Sequence, residues 1–194
     1  MRNMYSELGP LDITCTSSDC DANLHCFKFQ KSKMSVDQKG ACRKCGVKLV
    51  NWQRVHKKNI SDFNYTFKSL KYELVRHYNW HIDIDIKAMN HACRKGMKGL
   101  FFAAHNRIKK YVSPAKPYRD GEQTPLQGNV IFYAQHATAS CCRTCIEYWH
   151  DIPQGRDLTT EEIEYLVNLI MAYIKDRLPN LTEEGEYVPK IKTN

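Results

Sequence analysis

The sequence of 194 residues contains no apolar run close to the roughly 20 residues that a membrane-spanning helix requires. Its start, MRNMYSELGPLDITC, also lacks the apolar stretch and the small-residue cleavage site of a secretory signal peptide. We therefore expect neither membrane insertion nor secretion, and we predict a cytoplasmic protein.

Acidic residues are scarce in the first two thirds of the chain. Residues 1–120 hold 23 Lys and Arg against 10 Asp and Glu, a net charge of +13, whereas residues 121–194 hold 6 against 11, a net charge of −5. A basic lobe of this kind is the electrostatic signature of a nucleic-acid partner, although a solvated surface has the same composition. We expect nucleic acid as the partner and no interaction with membranes.

Nine cysteines are present, and in a reducing compartment their short spacings indicate metal binding rather than disulfides. Cys15 and Cys20 are separated by four residues, and Cys42 and Cys45 form a C-x-x-C-G motif. Four thiolates close a tetrahedral zinc site, which has no open position and therefore stabilises the fold rather than catalyses. Cys26 is an alternative to Cys15. It lies in the strand-like stretch LHCFKF (24–29), however, where an inward cysteine behaves as a small apolar residue.

The rest of the chain has mostly helical patterns. Apolar residues recur at spacings of three and four between Ser61, a candidate N-cap, and Asn79. Two shorter helices are predicted between residues 85 and 112, divided near Gly96 and Gly99. NVIFYAQ (129–135) is interpreted as a short strand or an extended entry to the next helix.

The last helix begins at a capping box formed by Thr159 and Glu162, carries one apolar stripe and ends before Pro179. Ahead of it, SPAKPYRDGEQTPLQG (113–128) is a long loop rich in Pro and Gly. Loops of this length are often functional, so we interpret it as a candidate wall of a site.

Together these patterns predict a mostly α (α+β) fold, with a small zinc-stapled β module followed by a compact bundle of four or five helices. We divide the chain into a zinc-ribbon-like module (1–60), a helical domain with a His/Cys cluster (61–180) and a loosely ordered tail (181–194). The first unit has too few apolar residues to fold unaided, so zinc is expected to hold it together.

The stretch QHATASCCRTCIEYWH (135–150) concentrates three cysteines, two histidines and a tryptophan. If residues 139–150 are helical, the cysteines and the tryptophan share one inward face, and packing alone explains them. A second metal site is an alternative, built from Cys145 with Cys141 or Cys142, plus His136 and either His105 or His150. A reactive thiol is a third interpretation, because a cysteine in the first turn of a helix has a lowered pKa.

Histidines at both ends of this stretch favour a functional site, since packing gives no reason for them. Three mixed ligands would leave one zinc position open to water, which lowers the pKa of that water towards about 7 and permits hydrolysis. For such an enzyme the candidate catalytic residues are His136, Cys141 and His150. The candidate metal ligands of this cluster are His105, His136, Cys142 and Cys145.

The sequence from about Arg94 to Ile174 resembles a bacterial and phage-associated family catalogued as a domain of unknown function. The stretches that carry the resemblance are AAH (103–105), DGEQTPLQG (120–128), AQHATASCCRTCIEYWH (134–150), IPQGR (152–156) and LTTEE (158–162). The family brings no established activity, but the resemblance implies characteristic positions at His105, Gln135, His136, Cys141, Cys142, Arg143, Cys145, Trp149 and His150. The preceding segment is similar to a zinc-ribbon-like unit that accompanies this domain in some proteins.

The leading functional prediction is a cytoplasmic zinc protein that binds nucleic acid through its basic first two thirds. The basic residues expected to carry this binding are Lys28, Lys31, Lys33, Arg43, Lys44, Lys57 and Lys58. The alternative is a metal- or thiol-dependent hydrolase acting on nucleic acid or nucleotides through the cluster at His136–His150. A pure interaction adaptor is a third possibility.

Overall fold

The computed structural model describes residues 13–122 and 124–189, and this part of the chain forms seven α-helices. They are α1 (Trp52–Val55), α2 (Phe63–Leu70), α3 (Leu74–His81), α4 (Ile86–Tyr111), α5 (Val130–Ala137), α6 (Arg143–His150) and α7 (Thr160–Arg177). Two 3-10 turns lie at Val36–Gln38 and Ile60–Asp62. Among the described residues, none of these helices combines the length and the apolarity that crossing a membrane requires. The predicted mostly helical fold is confirmed.

Helix α7 lies at the centre of the bundle, where it packs against α4 and α5, while α3 packs on α5. Its apolar stripe is buried, as the spacing of its residues predicts. The predicted capping box is also present: the Glu162 amide donates to Thr159 Oγ1 at 3.3 Å, and the Thr159 amide donates to Glu162 Oε2 at 2.9 Å. Both bonds satisfy amides that the first helical turn leaves unpaired.

The predicted helix between residues 61 and 79 is divided into α2 and α3. At the junction Glu73 is extended, and the backbone on either side of it pairs with His25: the His25 amide donates to Tyr72 O at 2.7 Å, and the Leu74 amide donates to His25 O at 3.0 Å. Because of this division, residues 61–180 contain six α-helices among the described residues rather than four or five. Ser61 lies in the preceding 3-10 turn and is not the N-cap of α2.

The break predicted near Gly96 is present in α4, where Gly96 has φ of +61°. The chain after α7 lies across this break. Amides of Met97 and Lys98 donate to the carbonyls of Thr182 and Glu183, and the Glu186 amide donates to Cys93 O. Residues 190–194 of the expected loose tail lie outside the described residues, whereas the part before them is hydrogen-bonded to α4.

Both predicted strands differ in the structure. The stretch 24–29 forms only isolated bridges, one antiparallel between Asp19 and Leu24 and one parallel between His25 and Glu73, because no continuous partner strand lies beside it in the part of the chain that the structure describes. The stretch 129–135 enters α5, and the Asn129 side chain accepts from the amide of Ile131 at this end. A short apolar run is compatible with a strand or with a helix. Here its contacts with α3, α4 and α7 favour the helix.

The N-terminal segment packs directly on α6. The ring of Trp149, fully buried, lies 6.3 Å from that of Phe27 and 5.0 Å from that of Trp52 between centroids. Leu24, Cys26 and Phe27 are buried in the same region. The cysteine-rich segment and the helical bundle therefore share one apolar core.

Candidate metal centre

Four side chains of the N-terminal segment form a group whose ligand atoms all lie within 4.8 Å of one another: Cys20, His25, Cys42 and Cys45. Cys20 Sγ is 3.8 Å from Cys42 Sγ, and Cys45 Sγ is 3.4 Å from His25 Nδ1. In a tetrahedral site with bonds of about 2.3 Å to sulfur and about 2.0 Å to nitrogen, these separations are about 3.8 Å and about 3.5 Å. The group can hold a metal ion, and its dimensions fit a tetrahedral one.

The C-x-x-C-G motif forms the tight turn that brings two of these sulfurs together. The Gly46 amide donates to Cys42 O, the Cys42 amide donates to Val47 O, and the Lys44 amide points at Cys42 Sγ from 3.5 Å. Gly46 has φ of +78°, a conformation that residues with a Cβ rarely adopt, so the glycine of the motif has a geometric reason. This turn matches the sequence prediction.

The protonation of these thiols reflects their crowding. Burial raises the pKa of Cys42, but backbone N–H groups of Cys45, Cys26 and Lys44 outweigh it and lower that pKa to about 6. Burial and the neighbouring sulfurs of Cys45 and Cys42 raise the pKa of Cys20 to about 12. Since metal binding requires thiolates, occupation of this group would release thiol protons, and its affinity would fall in acid.

His25 is the candidate ligand that sequence reasoning missed. Its Nε2 lies 3.1 Å from Asn23 Oδ1, so Nε2 carries the proton and Nδ1 is free to coordinate a metal, the arrangement that outer hydrogen bonds enforce on metal-binding histidines. Asn23 has φ of +58°, and its side chain is turned back onto the ring. The spacing Cys20-x4-His25, equal to that of the predicted cysteine pair, is the signal that would have found it.

Cys15, predicted as the fourth ligand of this group, is not among its members. Its carbonyl accepts from Cys26 Sγ at 3.3 Å, and its sulfur interacts with that of Cys145 in α6. Cys26 is fully buried beside Phe27 and acts as a small apolar residue, which is the role the sequence indicates.

A second group of metal-binding atoms consists of the buried sulfurs of Cys141, Cys142 and Cys145, again all within 4.8 Å of one another. The expected helix over 139–150 begins later, at Arg143. Ala139 has φ of +56°, so the chain turns before α6. This turn brings the sulfurs of Cys141 and Cys142 close to that of Cys145, which lies in the first turn of the helix. The three sulfurs therefore converge through a turn rather than along one helix face, and this group too can hold a metal ion.

A buried ion pair at the start of α3 lies against the second group. Arg76 and Glu73 are 1% exposed, and their side chains are joined by a bond of 3.1 Å from Arg76 Nε to Glu73 Oε2. Arg76 Nη2 points at Cys145 Sγ from 3.1 Å, and Nη1 donates to His136 O at 2.6 Å. Burial opposes the charge of Arg76, but the sulfurs of Cys145 and Cys141 and the Glu73 carboxylate hold its pKa above the usual value.

None of the three candidate histidines is brought into the second group. His136 Nε2 lies 3.3 Å from Thr124 O and 3.2 Å from Pro125 O, so this nitrogen donates to the 113–128 loop. His150 is fully buried, with Nε2 at 2.9 Å from Thr138 O and Nδ1 at 3.2 Å from the Tyr165 hydroxyl. His105 lies half-buried on α4, outside both groups.

The 113–128 loop does cover the second group, as expected of a site wall. Asp120 Oδ1 accepts from the Arg143 amide at 3.1 Å and thereby caps α6, while Thr124 Oγ1 donates to Cys141 O at 2.9 Å. Arg143 is buried and donates to the carbonyls of Pro153 and Arg156. These residues hold the turn that carries Cys141 and Cys142.

A groove of about 680 Å³ lies between the N-terminal segment and α6. Its walls include the aromatic rings of Phe29, Trp52 and Tyr148, and the basic side chains of Lys28, Lys31 and Lys39. Two acidic residues, Glu147 and Asp151, line its α6 side, and the Glu147 carboxylate is already bonded to Gln154 Nε2 at 2.7 Å.

Comparison with known proteins places the helical part of the chain in a family. No solved structure matches the chain. A family model described as a domain of unknown function, DUF4186, matches residues 64–175. The match starts earlier than the resemblance at 94–174 suggests, so it includes Glu73 and Arg76 as well as the second cysteine group, while the first metal group lies outside it. The chain therefore belongs to the DUF4186 family, a family whose function is unknown.

Proposed function

We propose that this chain is a cytoplasmic zinc protein that binds single-stranded nucleic acid in the groove between its N-terminal segment and α6. The observation that supports this most is the lining of the groove, which includes the aromatic rings of Phe29, Trp52 and Tyr148 together with three lysines. Single-stranded nucleic acid is typically held by this combination, because bases stack on aromatic rings and lysines neutralise phosphates. Free thiols persist in the reducing conditions of the cytoplasm, and all nine cysteines are free.

The first metal group has a direct part in this function. His25 and Cys42 are ligands at the two ends of the segment that supplies Lys28, Lys31 and Lys39. A bound zinc ion fixes both ends of this segment, which otherwise contains only one short 3-10 turn. Zinc thus shapes one wall of the groove without taking part in chemistry, as expected of a closed site.

Of the seven basic residues expected to bind nucleic acid, the structure distinguishes those that face the groove from those engaged elsewhere. Lys28 and Lys31 line the groove, and Lys39 joins them. Arg43 donates to the Gln30 side chain, and Lys58 Nζ donates to the carbonyls of His56 and His150. We assign phosphate binding to Lys28, Lys31 and Lys39.

The hydrolase alternative receives less support from the geometry. The hydrolase predicted from the sequence needs an open zinc position beside mixed His and Cys ligands, yet His136 and His150 donate to backbone carbonyls away from the second cysteine group. We therefore expect a bound oligonucleotide to stay intact, which gel analysis after prolonged incubation checks.

The binding test compares two triple charge reversals by fluorescence anisotropy with a labelled oligothymidylate. Lys28→Glu, Lys31→Glu and Lys39→Glu should weaken binding at least about 100-fold at low salt and reduce the salt slope by about 2, since each contact to a single strand contributes about 0.7. The matched control reverses three exposed lysines outside the groove, Lys68, Lys109 and Lys175, with the same change of charge. Equal losses in both variants, or no binding by the wild type, would refute the groove as the binding surface.

A single substitution tests the aromatic part of the groove. Phe29 is half-buried and lines the groove, so Phe29→Ala should weaken oligothymidylate binding by about 1–3 kcal/mol through loss of base stacking. Its salt slope should equal that of the wild type, because no phosphate contact changes. An unchanged affinity with an intact circular-dichroism spectrum would remove Phe29 from the binding site.

A further inference from the structure

We propose that Cys15 joins Cys141, Cys142 and Cys145 to form a second, four-sulfur zinc site that fastens the N-terminal segment to the family domain. The starting point is the close approach of the sulfurs of Cys141, Cys142 and Cys145 at the start of α6, all within 4.8 Å in a buried position. The edge of a tetrahedral zinc–thiolate site is about 3.8 Å, so these atoms already lie close to the separations that one small ion requires. A tetrahedron needs one more ligand.

Cys15 is placed to supply it. Its side chain is half-buried against the core, and its sulfur interacts with that of Cys145, although it lies outside the 4.8 Å limit within which the other three sulfurs group. The bond from Cys26 Sγ to Cys15 O fixes the backbone at this position. His136, the other ligand that the sequence suggested for this group, donates through Nε2 to the 113–128 loop. We therefore assign the fourth position to the N-terminal segment.

A buried cation lies beside these sulfurs. Arg76 Nη2 donates towards Cys145 Sγ at 3.1 Å, and Nη1 lies 3.9 Å from Cys141 Sγ. A buried guanidinium N–H needs an acceptor, and a thiolate is a far better acceptor than a neutral thiol. Four thiolates around Zn²⁺ carry a net charge of −2, and Arg76 supplies nearby positive charge. On binding, the four thiols release their protons to solvent as the Zn–S bonds form.

The proposed site would join two parts of the chain that differ in their relation to the family. Cys15 lies outside the matched family region, while its three partners lie inside it. Cys20 follows Cys15 by five positions, a reach of at most about 18 Å, so the two metal groups are linked by a short tether. With four protein ligands the second site is closed, and its role is to join the two parts of the chain.

Elemental analysis of protein purified without added metal tests this proposal. The wild type should hold two zinc ions per chain. Cys15→Ser and His25→Ala should hold one each, and the double variant none. Cys93→Ser serves as the matched control, because Cys93 is a half-buried cysteine on α4 outside both groups, and it should retain two. Two zinc ions in Cys15→Ser, or only one in the wild type, would overturn the proposal.

Two measurements keep the test decisive if a variant folds poorly. Mass spectrometry of the alkylated wild type should show Cys15, Cys141, Cys142 and Cys145 protected until a chelator is added, whereas Cys93 reacts at once. Cobalt substitution of His25→Ala should give the charge-transfer absorption of four thiolates rather than three. Alkylation of Cys15 in the zinc-loaded protein, or a three-thiolate spectrum, contradicts the site. Neither result bears on nucleic-acid binding in the groove.

Discussion

At the scale of single residues, the Glu73 carboxylate connects three separate parts of the site. Its two carboxylate oxygens accept from the Phe27 amide, the Tyr148 hydroxyl, the Trp149 indole and the Arg76 guanidinium, at 2.8–3.4 Å. One carboxylate thus joins the N-terminal segment, α3 and α6. A buried carboxylate with four donors and one cationic partner is fully satisfied, which is the condition for a stabilising buried ion pair.

Removal of this charge should be costly. Glu73→Gln replaces one acceptor oxygen by an amide that donates, and it removes the carboxylate that pairs with the buried cation of Arg76. We expect a loss of about 3–5 kcal/mol in the free energy of unfolding, measured by urea denaturation. The control Glu164→Gln, on the exposed face of α7, should change it by less than about 0.5 kcal/mol. Similar losses in the two variants would contradict the assigned role.

His150 should make stability depend on pH. Burial, opposed by its bond to the Thr138 carbonyl, lowers its pKa to about 4, from the usual 6.5. The unfolded chain therefore binds a proton that the folded chain rejects, so the contribution of His150 is present above about pH 6.5 and is lost as the pH falls towards 4. The difference corresponds to about 3 kcal/mol.

The measurement is the free energy of unfolding of the wild type and of His150→Gln between pH 7 and pH 4. The wild type should be more stable than His150→Gln at pH 7. The difference between their free energies of unfolding should narrow by about 3 kcal/mol at pH 4. Acid release of metal affects both proteins and cancels in the difference. A gap that stays constant with pH would show that His150 is not held neutral by burial.

At the scale of elements, the break in α4 depends on Gly96 and on the backbone of the segment after α7 that packs against it. A Cβ at Gly96 would lie 2.4 Å from the backbone carbon of Glu184, and its φ of +61° disfavours any other residue. Gly96→Ala should therefore destabilise the protein by more than about 1 kcal/mol. Gly99→Ala is the matched control, because a Cβ there meets only the flexible Lys95 side chain and should be neutral or slightly stabilising.

Thermal unfolding of both glycine variants measures this difference, and hydrogen exchange at the Glu186 amide, which bonds to Cys93 O, reports whether the final segment has detached from α4. Faster exchange in Gly96→Ala alone is the expected result. If both variants melt together with the wild type, the close approach of the final segment does not constrain Gly96.

Elements with purely local signals were predictable from the sequence. The capping box at Thr159, the apolar stripe of α7 and the glycine break in α4 each depend on residues within one or two turns. The division between α2 and α3 was not predictable, because it depends on the pairing of His25 with the backbone around Glu73, nearly 50 residues away in sequence. The choice of helix for α5 likewise depends on its packing against α3 and α7.

At the scale of the whole molecule, the N-terminal segment is expected to depend on bound metal. It contributes few apolar side chains and no regular strand among the described residues, so coordination supplies much of its folding free energy. Removal of metal by a strong chelator should speed tryptic cleavage at Lys28, Lys31 and Lys39 by at least about tenfold, which corresponds to about 1.4 kcal/mol of local stability.

The control for this prediction lies within the same chain. Sites on α7, such as Lys175, belong to an element packed in the apolar core and should be cleaved at the same rate with and without metal. Limited proteolysis followed by mass spectrometry distinguishes the two regions. Equal acceleration at all sites would mean that the chain unfolds as one unit when the metal is removed.

The sequence by itself determined the chemistry that this protein has available: paired cysteines, a C-x-x-C-G turn, a basic first two thirds and a capped amphipathic last helix. These features are local, since each is set by spacing within a few residues. Only the tertiary structure decided which sulfurs meet. It placed His25 rather than Cys15 with the first group, and it turned His136 and His150 away from the second. Such groupings depend on how segments far apart in sequence pack together, and the spacing of residues along the chain does not encode that packing.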